Sequence, residues 1–158
     1  MRRYFLLFAV LFLTLSGCSQ AKSAMENKAG SPSPSADSTN GKDEFSPGIF
    51  IDFTQAKNDF VTDEILDTLK TNLQAIVDKN KEMFVQGFIP GSEQSNLFWI
   101  EGDRQYRFYE IDYTQKEGVR INIGIRYQMK DGDTIEENGT IYTFLMDTDG
   151  IWKIAIID

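Results

Sequence analysis

Val119 to Lys130 alternates without interruption. Val119, Ile121, Ile123, Ile125, Tyr127 and Met129 fall on one side of an extended chain. Arg120, Asn122, Gly124, Arg126, Gln128 and Lys130 fall on the other. A period of two with one apolar side is the pattern of an antiparallel strand that buries one face and wets the other. Such a face has to be covered by a second layer, which narrows the architecture to sheet on sheet or helix on sheet.

The stretch before it supplies a helix. Ile65, Leu66, Leu69, Leu73, Ile76, Val77 and Phe84 recur at spacings of three and four, one apolar stripe over residues 62–86. Thr62 or Asp63 can cap its start, and Asp63 and Glu64 suit the positive end of the helix dipole. Gly87 ends it and Pro90-Gly91 blocks continuation. Asn72 or Asn80 offers a place to divide it into two helices.

After Pro90 the period becomes two. Leu97 to Glu101 reads as a short strand, and Gln105 to Tyr113 as a longer one. In the latter, Tyr106, Phe108, Glu110 and Asp112 oppose Arg107, Tyr109, Ile111 and Tyr113, and nothing fixes which side is buried. Thr140 to Met146 and Ile151 to Ile157 are further strands. Asp131-Gly132 and Asn138-Gly139 are both hairpin signals. Either the stretch between them is a loop, or Thr134 to Glu137 lengthens a strand and Asn138-Gly139 is a bulge. Ile49 to Phe53 is a short strand or a segment docked on the core. The expectation is an α+β domain: a long N-terminal helix packed on a curved antiparallel sheet of four to five strands. No internal repeat is visible.

That domain occupies residues 47–158, 112 residues (158 − 47 + 1), enough to bury a sizeable core. The first 46 residues differ in kind. Met1-Arg2-Arg3 is a short basic start, and Tyr4 to Leu15 is an apolar run of 12 residues, too short to span a bilayer. Ser19 to Ser46 is rich in Ser, Ala, Asn and Gly around Ser-Pro-Ser-Pro, a composition that cannot bury enough apolar surface to fold. A coil of that length spans on the order of 30 Å.

Leu15-Ser16-Gly17-Cys18, following the apolar run, resembles the lipobox of bacterial lipoproteins. The resemblance implies cleavage between Gly17 and Cys18 and acylation of the Cys18 thiol. The division is then 1–17 signal peptide, 18–46 lipidated cysteine and tether, 47–158 domain. The protein would sit on a bacterial membrane, held in the lipid bilayer through acylated Cys18 and facing outside the cytoplasm. Several acyl chains hold a protein firmly where one does not. Cys18 is the chain's single cysteine, so as a thioether it leaves the domain without a disulfide.

Charge and composition exclude other roles. The net charge is −8; without Arg2 and Arg3 it is −10, from 14 basic and 24 acidic residues. Such a balance repels nucleic acid. The chain has no histidine, so a Ser-His-Asp triad, a Cys-His pair and a His-ligated metal cannot be built from it. No cofactor and no metal site is expected.

The order of helix, alternating strands and the closing Gly150-Ile151-Trp152-Lys153-Ile154 resembles the nuclear-transport-factor-2-like, cystatin-like α+β roll. The resemblance implies two or three helices before the sheet, with 54–61 supplying one, and a conical pocket between helix and sheet. Phe84, Trp99, Tyr109, Tyr113 and Tyr127, with Phe88 and Phe98, are the pocket candidates; aromatics at these periods also simply fill cores. It further implies that an enzyme of this kind would use a pocket acid, for which Asp112 and Glu110 are the analogues; solvated strand carboxylates are the alternative.

Three surface features complete the reading. Asp147-Thr148-Asp149-Gly150 starts like a calcium loop but lacks the remaining ligands, so it reads as a turn. Asn138-Gly139-Thr140 matches a glycosylation sequon and reads here as turn chemistry. Arg120, Arg126 and Lys130, with Arg107 nearby, form a basic stripe suited to an anionic envelope polymer or acidic partner, unless cross-strand acids such as Glu136 and Glu137 balance it. The functional expectation is a non-enzymatic binding or interaction module of the cell envelope, engaging a protein, a polymer or a small apolar ligand. The alternatives are a small enzyme using Asp112 or Glu110, or a structural subunit that dimerises.

Overall fold

The computed structural model describes residues 44–158. The expected signal peptide, the lipidated Cys18 and the tether as far as residue 43 lie outside the described residues. The chain runs β1 (Gly48–Ile49), a 3₁₀ turn (Phe53–Ala56), α1 (Asp63–Val77), α2 (Lys81–Gln86), a 3₁₀ segment (Glu93–Trp99), β2 (Gln105–Glu117), β3 (Arg120–Asp131), β4 (Thr134–Met146) and β5 (Trp152–Ile157). The five strands form one sheet in sequence order. All neighbours are antiparallel except β1, which adds parallel to β2 through Gly48–Arg107 and Ile49–Phe108. The fold is the expected α+β type, a helix packed on a curled sheet.

The helical stripe becomes two helices. Lys79 adopts a left-handed backbone with φ 55°, and Asn80 accepts a hydrogen bond from Met83 N at 3.0 Å, capping α2. Asn80, not Asn72, is therefore the dividing residue. Asn72 instead is buried and polar: it donates to Phe84 O at 3.2 Å and accepts from the Tyr142 hydroxyl at 3.1 Å. One amide thus joins α1, α2 and β4. The stripe residues Ile65, Leu69, Leu73 and Ile76 are fully buried with Ile121, Ile123, Ile125 and Phe144 of the sheet. Each such side chain contributes roughly 1.5–3 kcal/mol through burial.

Several expectations need correction. Leu97 to Glu101 is not a strand; Glu93–Trp99 is 3₁₀. A short apolar run carries no period that separates the two states. Here Asn96 decides: it donates to Ser92 O at 3.0 Å and accepts from Ile157 N at 3.2 Å, capping the segment onto the edge of β5. Segment 87–89 covers the same edge, with Ile154 N bonded to Gly87 O and Ile89 N to Ile154 O, both at 2.9 Å. Segment 54–61 supplies only the 3₁₀ turn.

Asn138 and Gly139 are neither turn nor bulge. They pair with Tyr127 and Arg126 in a ladder unbroken from Asp131–Thr134 to Ile121–Phe144, and the turn is Gly132-Asp133, with Gly132 at φ 58°. The bulges lie elsewhere: β2 shifts register between Phe108 and Glu110 and again between Ile111 and Tyr113, and β4–β5 shifts at Thr143–Phe144. Each extra residue bends its strand and increases its twist, which curls the sheet around α1.

Candidate functional site

The space between helix and sheet is filled. Trp99 meets Tyr106 and Tyr127 with ring centroids 5.3 Å away in each case, and Tyr106 lies 5.9 Å from both Phe108 and Tyr127. Phe84 is fully buried and pairs with Phe88 at 5.0 Å. Of the five pocket candidates, Phe84, Trp99 and Tyr127 therefore belong to the core, while Tyr109 and Tyr113 lie at the sheet surface. The structure does not bring the five together. Phe98 is exposed beside Trp99.

One end of this aromatic cluster is polar and unusual. The Lys79 ammonium stands 5.2 Å from the Tyr106 ring centre, buried without a hydrogen-bond partner, and the Trp99 indole N–H also lacks one. Burial pushes the Lys79 ammonium pKa down, and the Arg104 charge adds to this. Tyr142, wholly enclosed, has its hydroxyl pushed well above the ordinary tyrosine range by burial.

Glu110 and Asp112 are exposed. The bulge at Tyr109 explains Glu110: it resets the alternation after Phe108, so Glu110 pairs with Arg126 on the outward side. Neither carboxylate enters the core. The basic stripe has acidic neighbours in register. Arg120 pairs in register with Glu117, and Arg126 with Glu110 on one side and Gly139 on the other. Arg126 also interacts with the Tyr109 hydroxyl, near Asp112 and Glu137. Glu137 accepts from Tyr109 Oη at 2.5 Å and Gln128 Nε2 at 2.6 Å, which holds its carboxyl below the usual glutamate range. Arg107 lies 4.9 Å from the Phe50 ring centre and Lys130 5.9 Å from that of Phe45. Asp112 and Glu137 are thus the acids whose charge reaches Arg126, while the ion pairs formed among the described residues, Lys57–Asp63 and Arg104–Asp131, involve no residue of the stripe.

Among the described residues, no group of three or more His, Cys, Asp or Glu side chains could hold a metal ion. Asp147 to Gly150 is a turn: Asp147 Oδ1 accepts from Asp149 N and Ile151 N, both at 2.9 Å, and Gly150 takes φ 79°.

A cleft of about 450 Å³ lies along β2, where the chain leaving β1 runs on beside it in the same direction. One wall is Tyr109, Glu110, Ile111, Tyr113 and Thr114 of β2; the other is Ile51, Asp52, Gln55, Ala56, Lys57 and Asn58. The second wall is fixed by its own polar side chains. Asp52 caps the 3₁₀ turn, accepting from Thr54 N at 3.1 Å, Thr54 Oγ1 at 2.6 Å and Gln55 Nε2 at 2.9 Å. The Thr54 and Gln55 side chains, in that order, hold the Asp52 carboxyl below the usual range. Asn58 accepts from Phe60 N and Val61 N and donates to Thr114 Oγ1 at 3.1 Å, tying the wall to the strand. On the β2 side, Tyr113 packs over Gly124, whose missing side chain leaves the room. Sequence reasoning found Tyr109 and Tyr113 but missed Asp52, Gln55 and Asn58. The Asp52-Phe53-Thr54 capping pattern was their one local signal.

No protein-family model matches the chain, and no curated protein matches it. Some solved structures are similar over part of its length. An NTF-2-like protein of unknown function from Shewanella oneidensis MR-1 gives a TM-score of 0.46 at 13% identity, over 60% of this chain and 94% of that one. A candidate ketosteroid isomerase from Shewanella frigidimarina NCIMB 400 gives 0.44 at 13%, over 68% and 97%. An Ntf2-like protein involved in plasmid conjugation gives 0.44 at 16%, over 65% of this chain and 40% of that chain. At these scores the likenesses are loose ones, and what the cleft can do rests on its own residues.

Proposed function

We propose that this chain is a lipid-anchored, non-enzymatic binding module of a bacterial cell envelope, and that it binds through the cleft along β2. The anchor rests on Leu15-Ser16-Gly17-Cys18 after a basic start and a short apolar run. The observation that carries the binding reading is the contrast between interior and edge. The interior is packed with aromatic rings, while the edge holds a cleft with two tyrosines and a wall locked by Asn58. The two carboxylates named for an enzyme stand exposed on the strand, and without histidine no relay partner accompanies them.

The anchor is tested by expressing the full chain in a bacterial host supplied with labelled fatty acid. Wild type should carry label and sediment with membranes, and Cys18→Ala should do neither. Label retained by the variant overturns the anchor. For the cleft, nuclear magnetic resonance of the full chain in detergent should place ligand-induced shifts on Tyr109, Tyr113 and Thr114. Shifts confined to the outward face of β3 and β4 would move the binding site there.

A further inference from the structure

Away from the cleft, we propose that Lys79 is a modification site: its side-chain amine adds carbon dioxide, and the resulting carbamate is held at the polar end of the aromatic cluster. Lys79 stands in the link between α1 and α2, with a left-handed backbone at φ 55°. Its backbone N–H bonds to Ile76 O at 3.3 Å, and the Asn80 side chain caps the helix that follows. The side chain is half-buried, and its nitrogen is enclosed over the Tyr106 ring, 5.2 Å from the centre. An ammonium has three protons to donate, and this one meets no acceptor. Among the described residues it is the one lysine nitrogen so placed. The neutral amine, which is the nucleophile, escapes the cost of burying an unpaired charge.

The surroundings suit the product better than the ammonium. Trp99 packs against Tyr106 at 5.3 Å, and its buried indole N–H also lacks an acceptor. Arg104 bonds to the Tyr106 hydroxyl, and its charge opposes that of Lys79. Asp103 favours the ammonium, but burial and Arg104 outweigh it. A concavity of about 410 Å³, lined in part by Phe98, Asp103 and Arg104, adjoins this end of the cluster. The ammonium first gives one proton to solvent. The freed lone pair then attacks the carbon of carbon dioxide, a C–N bond forms, and one C=O pair moves onto oxygen. Nitrogen releases a second proton to solvent, leaving an anionic carbamate. A cation among donors thereby becomes an anion among donors, which accepts from the Trp99 N–H and lies beside the Arg104 charge. Carbon dioxide is small and uncharged, so enclosure of the nitrogen does not bar it.

The full chain in detergent is equilibrated at neutral pH with carbon-13 bicarbonate and treated with triethyloxonium ion, which converts a carbamate to a stable ethyl ester. Mass spectrometry of the peptides then locates the label. It should sit on Lys79 ahead of the exposed lysines and increase with carbon dioxide pressure. Trp99→Phe should carry about tenfold less, the loss of one hydrogen bond to a charged group. Arg104→Gln, which leaves the core rings in place, should also carry less. No label on Lys79 in wild type, or label spread evenly over the lysines, overturns the proposal. Label on Lys79 that is unchanged in both variants overturns the assignment of Trp99 and Arg104 as its holders.

Discussion

The ring of Tyr113 occupies the space into which a side chain at Gly124 would project. A methyl group built there would collide with two ring carbons of Tyr113 and with the Asp112 carboxylate. Gly124→Ala should cost about 1–3 kcal/mol in urea unfolding, as overpacking does. In a Tyr113→Ala background the cost should shrink, because the Asp112 carboxylate, exposed and able to turn aside, is then the clash that remains. Equal effects in both backgrounds would show that the ring is not what excludes the side chain.

Asn72 should be the costliest polar residue to remove. Asn72→Leu leaves the Tyr142 hydroxyl and the Phe84 carbonyl buried without partners, at about 1–3 kcal/mol each. Adding Tyr142→Phe should recover the hydroxyl's share. If the double variant is no more stable than Asn72→Leu, the hydroxyl reaches water in the single variant.

Glu137 gives a signature in acid. Tyr109 first, and then Gln128, lower its pKa below the ordinary 4.5. A depressed carboxyl adds stability that is complete above the unfolded value and is lost as pH falls through the folded one. The Glu137 carbon resonance in a titration of wild type should therefore move below pH 4.5, and in Tyr109→Phe it should move closer to that value. An unchanged midpoint would mean that the bond to Tyr109 does not persist in solution.

Lys79 works in the opposite sense. Its pKa is lowered from 10.5, chiefly by burial, so the folded state disfavours the charge at neutral pH. That penalty is relieved as pH rises toward 10.5. Lys79→Met keeps the length of the side chain without the charge and should equal or exceed wild type in stability at pH 7. The margin should narrow as pH climbs. A variant less stable than wild type at pH 7 would show that the ammonium over Tyr106 is net favourable.

The elements with long periods were legible. β3 and the α1 stripe announce themselves because each repeats one spacing over several turns or pleats, and burial follows the repeat. The division at Asn80 was foreseeable as one of two asparagines, but only the left-handed Lys79 beside it separates that choice from Asn72. The β2 bulges were not legible. Register depends on which backbone groups of two strands meet, and the side-chain alternation of Gln105 to Tyr113 continues through Tyr109 on paper while the ladder does not. That one displaced residue moved Glu110 from the side of Tyr106 and Phe108 to the outside. The cleft was half legible. Its tyrosines stood out, but its far wall depends on a bond between Asn58 and Thr114, 56 positions apart in the chain.

The parallel attachment of β1 has a mechanical consequence. Tension arriving from the amino-terminal side meets two ladder pairs and the bond from Phe50 N to Phe108 O, and after them the Asn58–Thr114 bond. The strip from residue 47 to 60 is a sacrificial fuse: under pull it peels first, dismantling the cleft while the sheet stays folded.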